Sequence, residues 1–291
     1  MSARSFPLWP IGLLLIAMMS IQSGAALAKQ LFPLIGANGV TMLRLIMAAI
    51  MLWLVLRPWR QMPTRAQWPA LLVYGITLGL MNYLFYLSIA RIPLGIAVAL
   101  EFSGPLVVAL WNSRRLLDVV WVALALIGIL LLMPQEGLRH SLDLTGVLLA
   151  LGAGACWASY IIFGQKVGTG LGPNGTAFGV LAAALVIAPL CISQGALESI
   201  EPSVLPWAAL VGLLSTALPY SLEMVALKHL PTTTFGTLLS LEPAIAALSG
   251  LMFLGETLTM LQWLAMFAIM LASVGTTLNP TKATSEAAKS S

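Results

Sequence analysis

Four charged residues stand inside long apolar runs: Arg44, Glu101, Glu223 and Glu242. Glu101 lies near the middle of PLGIAVALEFSGPLVVALW (93–111), with Pro105 one turn later. A carboxylate at the centre of a hydrocarbon layer costs about 2.5–3.5 kcal/mol on insertion scales, so such an acid is read first as a functional group. It suits an acid that takes up and releases a proton, or one that holds an ammonium group. Glu242 is followed directly by Pro243. Proline removes a backbone donor and frees a carbonyl one turn earlier. In lipid that break is tolerated where protein groups or a wet cavity satisfy the backbone, so Glu242 marks either a packing kink or a site. Arg44 and Glu101 each lie about nine residues, roughly 14 Å, from the same side of the layer. They can pair as a structural bridge between two helices, or Arg44 can receive a solute carboxylate while an acid receives its amine. Glu223 follows Pro219-Tyr220-Ser221 and either reaches water near a helix end or faces inward. The cluster Asn82, Tyr83, Phe85 and Tyr86 lines a cavity or simply packs helices.

Other chemistry finds no support. The P-loop pattern for nucleotide binding is absent. His140 and His229 fall in different loops without metalloprotease spacing. No metal site, cofactor or Ser/His/Asp set emerges. The pair Arg44 and Glu101 lacks a nucleophile, which argues against an intramembrane enzyme.

These residues must be positioned by elements that live in lipid. The 291 residues are 59% hydrophobic and 8% charged, with mean hydropathy +0.97. Soluble domains carry roughly 25% charged residues, so the solvent of this chain is membrane lipid. The net charge of +4 is scattered through short loops and does not describe a nucleic-acid surface. Cys156 and Cys191 lie in apolar runs and read as buried free thiols. Ten apolar segments approach spanning length: 8–28, 35–56, 68–89, 92–111, 119–134, 144–164, 174–194, 205–227, 232–254 and 258–278. Arg4, the first run and Ala26-Leu27-Ala28 imitate a signal peptide, but the run is longer than a signal core, so it is expected to remain as a span. Residues 279–291 read as a polar, disordered cytoplasmic tail.

Basic residues set the expected orientation. With the N-terminus in the cytoplasm, the inner side holds Arg4, Arg57, Arg60, Arg65, Arg114, Arg115, Lys166, Lys228, Lys282 and Lys289, and the outer side holds Lys29, Arg91 and Arg139. Both termini are therefore expected inside. Gly75 with Gly79, and Ala150 with Gly154, have the spacing of small residues at helix contacts.

The pattern repeats. Pro93 and Pro231, Pro105 and Pro243, Leu100 and Leu238, and Asp118 and Glu256 all stand 138 residues apart. Five spans per half is odd, so the halves enter the layer in opposite senses. The expected fold is an all-α integral membrane protein of ten transmembrane helices in two inverted five-helix repeats, 8–134 and 144–278. Architectures of this kind place a solute site near the midplane.

LSLEPAIAALSGLMFLGETLT (239–259) resembles the ninth-to-tenth helix signature of EamA-type transporters in the drug/metabolite transporter superfamily. TMLRLIMAA around Arg44 and GACWASYI (154–161) are similar to that family's second and sixth helices. Within the superfamily, MNYLFYLSI (81–89), PLGIAVALEFSGPL (93–106), STALPYSLEM (215–224) and FGTLLSLEP (235–243) look like the bacterial exporters of threonine and homoserine. The likeness spans roughly residues 8–278. It implies a bacterial inner-membrane exporter of small amino acids driven by protons, with a broader metabolite or drug exporter as the alternative. Glu101, Arg44, Glu242, Glu223, Asn82, Tyr83 and Tyr86 are the candidate residues for substrate or proton.

Overall fold

The computed structural model describes residues 9–111, 116–132, 142–198, 200–230 and 232–278. Every regular element among them is helical. In chain order these are α1 (Trp9–Leu56), α2 (Trp68–Ile89), α3 (Leu94–Glu101), α4 (Ser103–Trp111), α5 (Leu116–Leu132), α6 (Leu144–Leu171), α7 (Pro173–Ser193), α8 (Leu205–Gly212), α9 (Leu218–His229), α10 (Thr232–Leu239), α11 (Glu242–Ser249) and α12 (Met260–Leu278). A π-helical turn, Leu213–Ala217, joins α8 to α9, and a second, Gly250–Leu254, follows α11. Among the described residues, six helical stretches are long and apolar enough to cross a membrane. Large apolar side chains such as Val55, Leu130, Leu185 and Met252 are exposed. A water-soluble surface does not carry so continuous an apolar cover, and the protein is an integral membrane protein.

The 48 residues of α1 would measure about 72 Å if straight, over twice a 30 Å hydrocarbon core. They are not straight. Gly36 leaves the helical region with φ 67° and ψ 165°, a conformation open to glycine. Gly24 and Arg44, on either side of this break, both pack on Ser215. Twenty residues of continuous helix would separate them by about 30 Å, so the chain folds back at Gly36. The predicted segments 8–28 and 35–56 fall on the two arms of α1, but the first arm continues through the expected loop and the break comes only at Gly36.

The predicted spans 92–111 and 232–254 are each interrupted. α3 ends at Glu101, and α4 begins after Phe102. α10 ends at Leu239, and α11 begins after Ser240 and Leu241. Pro105 and Pro243 explain the places. Each lacks the N–H that would bond the carbonyl four residues back, on Glu101 and on Leu239. The interruptions lie 138 residues apart, at the offset of the repeated prolines. The predicted loop between 164 and 174 shrinks to one residue, because Gly172 takes φ 52° and Pro173 starts α7 at once.

Close helix contacts hold the bundle. Gly75 and Gly79 of α2 face Ala182 and Ala183 of α7, and Gly95 of α3 faces Ala247 of α11; an ideal Cβ on Gly95 would stand 2.6 Å from Ala247 Cβ. Gly104 of α4 abuts the Gly154 carbonyl of α6. At one end of the bundle, Lys29 Nζ donates to Glu256 Oε1 at 2.6 Å and to the Ile92 carbonyl at 2.9 Å, while Glu256 Oε2 accepts from Leu94 N. Arg91 and Asp143 pair at 3.1 Å, with Asp143 capping α6. Arg114, Arg115, His140, Pro231 and the tail from 279 lie outside the described residues, as does the side chain of Asp118.

Candidate functional site

The two helix interruptions and the π-turn at Leu213–Ala217 meet around a cavity of about 230 Å³. One water needs only about 10–15 Å³ of such space, so the cavity has room for a small solute. Arg44, Glu101, Glu223 and Glu242 all line it. Residues from four apolar runs thus bring three carboxylates and one guanidinium to one volume.

Glu101 closes the last turn of α3 and is 8% exposed. Among the described residues its carboxylate makes no hydrogen bond or ion pair, and it lines the cavity. Glu242 opens α11 and accepts from Gln22 Nε2 at 3.2 Å. A carboxylate at a helix N-terminus also meets the positive end of the macrodipole. Glu223 is half-buried on α9 and lines the cavity rather than turning away from it.

For Arg44 the sequence left two readings open, a structural bridge or a solute contact. No Arg44–Glu101 ion pair forms. The Arg44 guanidinium instead donates Nε to Ser215 Oγ at 2.7 Å, Nη1 to Asn82 Oδ1, and Nη2 to the Ser215 carbonyl at 3.3 Å and Thr216 Oγ1 at 3.2 Å. It also stands 4.9 Å from the centroid of the Tyr86 ring, a cation–π contact. Neutral acceptors saturate most of its fork, so its positive charge is left for the cavity to balance. The π-turn is what points the Ser215 hydroxyl, the Ser215 carbonyl and the Thr216 hydroxyl toward one guanidinium. Single π-turns inside helices recur at functional sites.

Asn82 and Tyr86 sit in this arrangement, Asn82 held by its own bond to the Leu78 carbonyl. Tyr83 does not. Its side chain packs into a separate apolar cluster and its hydroxyl donates to Gln194 Oε1 at 3.0 Å. The helical period explains this, because Asn82 and Tyr86 are one turn apart while Tyr83 is 100° away. Among the described residues, no three His, Cys, Asp or Glu side chains gather closely enough to hold a metal.

Residues 144–278 match the EamA-like transporter family. Over 97% of this chain and 96% of the relative, the sequence is 56% identical to the threonine/homoserine exporter RhtA of Escherichia coli strain K12. The chain belongs to the EamA-like transporter family. It is also 56% identical to the RhtA of Salmonella typhimurium strain LT2, over 95% of this chain and 94% of the relative. It is 29% identical to the uncharacterized transporter YwfM of Bacillus subtilis over 76% of this chain and 77% of the relative. A solved structure titled only as a crystal structure of a protein matches this EamA-like chain with a TM-score of 0.59 at 19% identity. That match covers 93% of this chain and 98% of the other, a likeness of fold alone.

Several lining residues of this EamA-like transporter escape a reading of charge alone. Gln22, Ser215 and Tyr220 line the cavity, and Thr216 completes the Arg44 shell. Each is a neutral polar residue inside an apolar run. That was the available signal, but it is weak, because serine and threonine in a membrane helix usually bond their own backbone.

Proposed function

We propose that this protein is a secondary active exporter of small amino acids, threonine and homoserine first among them, working by proton antiport with alternating access. The single observation that carries the reading is the cavity that Glu101 lines with Glu242 and Arg44, its carboxylate bonded to no side chain among the described residues. Near-complete alignment with exporters named for threonine and homoserine supports that substrate class. An amino-acid zwitterion carries one group for each kind of charge present. Its ammonium suits a carboxylate, and its carboxylate suits the side of the cavity toward Arg44.

Coupling follows if proton and ammonium compete for one carboxylate. Glu101 is the first choice because no described residue bonds its carboxylate; Glu242 is the reserve, and Glu223 lines the same cavity. Each displaces the other in turn as the site opens to alternate sides. Asn82 and Tyr86 act by holding Arg44.

The architecture we propose is ten transmembrane helices in two inverted five-helix repeats, 8–134 and 144–278, in the bacterial inner membrane with both termini and the tail 279–291 in the cytoplasm. Interruptions 138 residues apart support it. So do cavity-lining pairs at that offset: Asn82 with Tyr220, Phe85 with Glu223, and Glu101 with Leu239.

The test is counterflow of labelled threonine in liposomes containing only this protein, with and without a pH gradient. Exchange accelerated by an opposing proton gradient is the expected result. Purified protein that moves no amino acid under either condition would refute the reading. Competition by a panel of amino acids and lipophilic cations separates it from a broader exporter.

A further inference from the structure

One polar group in the cavity has no part in the proposal above. Gln22 is 2% exposed on the first arm of α1. Ser20 and Gly24, on the opposite face of the same turns, pack on Leu214 and Ser215, which aims Gln22 into the cavity toward α11. Its amide nitrogen donates to Glu242 Oε1. Its amide oxygen is buried and has no partner. A buried acceptor left unmet is costly, and the residue that carries it lines a space large enough for a solute.

We infer that Gln22 is a specificity-determining residue, whose Oε1 accepts a hydrogen bond from the side-chain hydroxyl of the transported amino acid. The inference rests on the amino-acid reading above and names what selects among amino acids. The chemistry favours a hydroxyl over the ammonium as the donor. A charged ammonium is better served by the carboxylates beside it, whereas a neutral hydroxyl can donate to a neutral amide oxygen. Threonine and homoserine carry that hydroxyl on different carbons, and removing it from either gives the same molecule, 2-aminobutyrate. A site built to bond a hydroxyl rejects the analogue lacking it, because its own polar group is then stranded. The Gln22–Glu242 bond occupies the amide nitrogen, which leaves the shielded oxygen as the acceptor that a solute hydroxyl would meet on entering.

The experiment is counterflow in liposomes with the full-length chain, comparing threonine, homoserine and 2-aminobutyrate. Wild type should prefer either hydroxy amino acid over 2-aminobutyrate by roughly tenfold or more in half-saturating concentration. Gln22→Met, nearly the same shape without the acceptor, should bring the three solutes within about twofold of one another, chiefly through the hydroxy amino acids. Transport of 2-aminobutyrate itself reports that the variant is folded. Gln22→Asn serves as a second variant and should reduce the preference in the same direction. A wild type indifferent to the hydroxyl overturns this inference while the exporter reading stands. So does a preference that survives Gln22→Met, or one lost instead in Tyr86→Phe. Failure of wild type to move any amino acid removes the exporter reading and this inference with it.

Discussion

Gly104 of α4 sits so close to the carbonyl of Gly154 in α6 that an added Cβ would overlap that oxygen. The same contact seats Glu101, because the Glu101 carbonyl, freed by Pro105, lies against Gly154; an ideal Cβ there would be 2.7 Å from it. Gly104→Val and Gly154→Val should therefore both push α3 and α4 away from α6. Overpacking of this kind costs about 1–3 kcal/mol or more. A lowered thermal midpoint and lost counterflow are the expected readings. Gly12→Ala, where nothing lies within 4 Å, is the control and should change neither.

Arg44 bonds four acceptor contacts from a planar fork. Lysine keeps the charge but not the fork. Arg44→Lys should strand Ser215, Thr216 and Asn82 groups, lower stability by about 1–3 kcal/mol and abolish threonine transport. Retention of more than half the wild-type rate would show that charge alone suffices.

Glu101→Gln preserves shape and removes the exchangeable carboxylate. The variant should insert and purify normally yet build no threonine gradient from a pH gradient. The matching change at Glu242 should leave partial coupling, since Glu242 is already engaged by Gln22. Vesicles of the Glu101 variant that still concentrate threonine would move the coupling role to another acid.

Lys29 and Glu256 join the first arm of α1 to the segment before α12, and through Ile92 and Leu94 to the start of α3. Both side chains are mostly shielded, at 21% and 15% exposure. A double-mutant cycle with Lys29→Met and Glu256→Gln should return a coupling of about 0.5–3 kcal/mol. Additive losses would mean that each residue is held by the backbone partners alone.

Asp143 lies outside the spans, and its hydrogen bond to Arg91, aided by the α6 N-terminal amides, holds its carboxyl below the usual carboxylate range. A depressed folded value means that the stabilisation is present above the unfolded carboxylate range and is lost as pH falls through the folded value. Comparison of thermal midpoints at neutral pH and near pH 3 should show a larger acid loss for wild type than for Asp143→Asn. Equal losses would mean that the pair contributes nothing.

Much of this protein was legible without coordinates. Composition alone placed it in lipid, since 8% charged residues cannot cover a water-soluble surface of this size. Local rules account for the interruptions once they are seen, because proline at 105 and 243 denies the same backbone bond wherever the chain is folded, although the apolar pattern alone ran 92–111 and 232–254 as single spans. The insertion cost of a lone acid singled out Glu101, Glu223 and Glu242. Three-dimensional packing decided the partners. Equal depth made an Arg44–Glu101 bridge plausible, but depth fixes only one coordinate of three, and the π-turn at Leu213–Ala217 placed Ser215 and Thr216 against the guanidinium first. Tyr83 and Asn82 are neighbours in sequence and point to different clusters, because a helix turns 100° per residue. Gln22 stayed invisible for the same reason: an amide among apolar residues carries no signal of what it faces until a helix 220 residues away in sequence brings Glu242 to it.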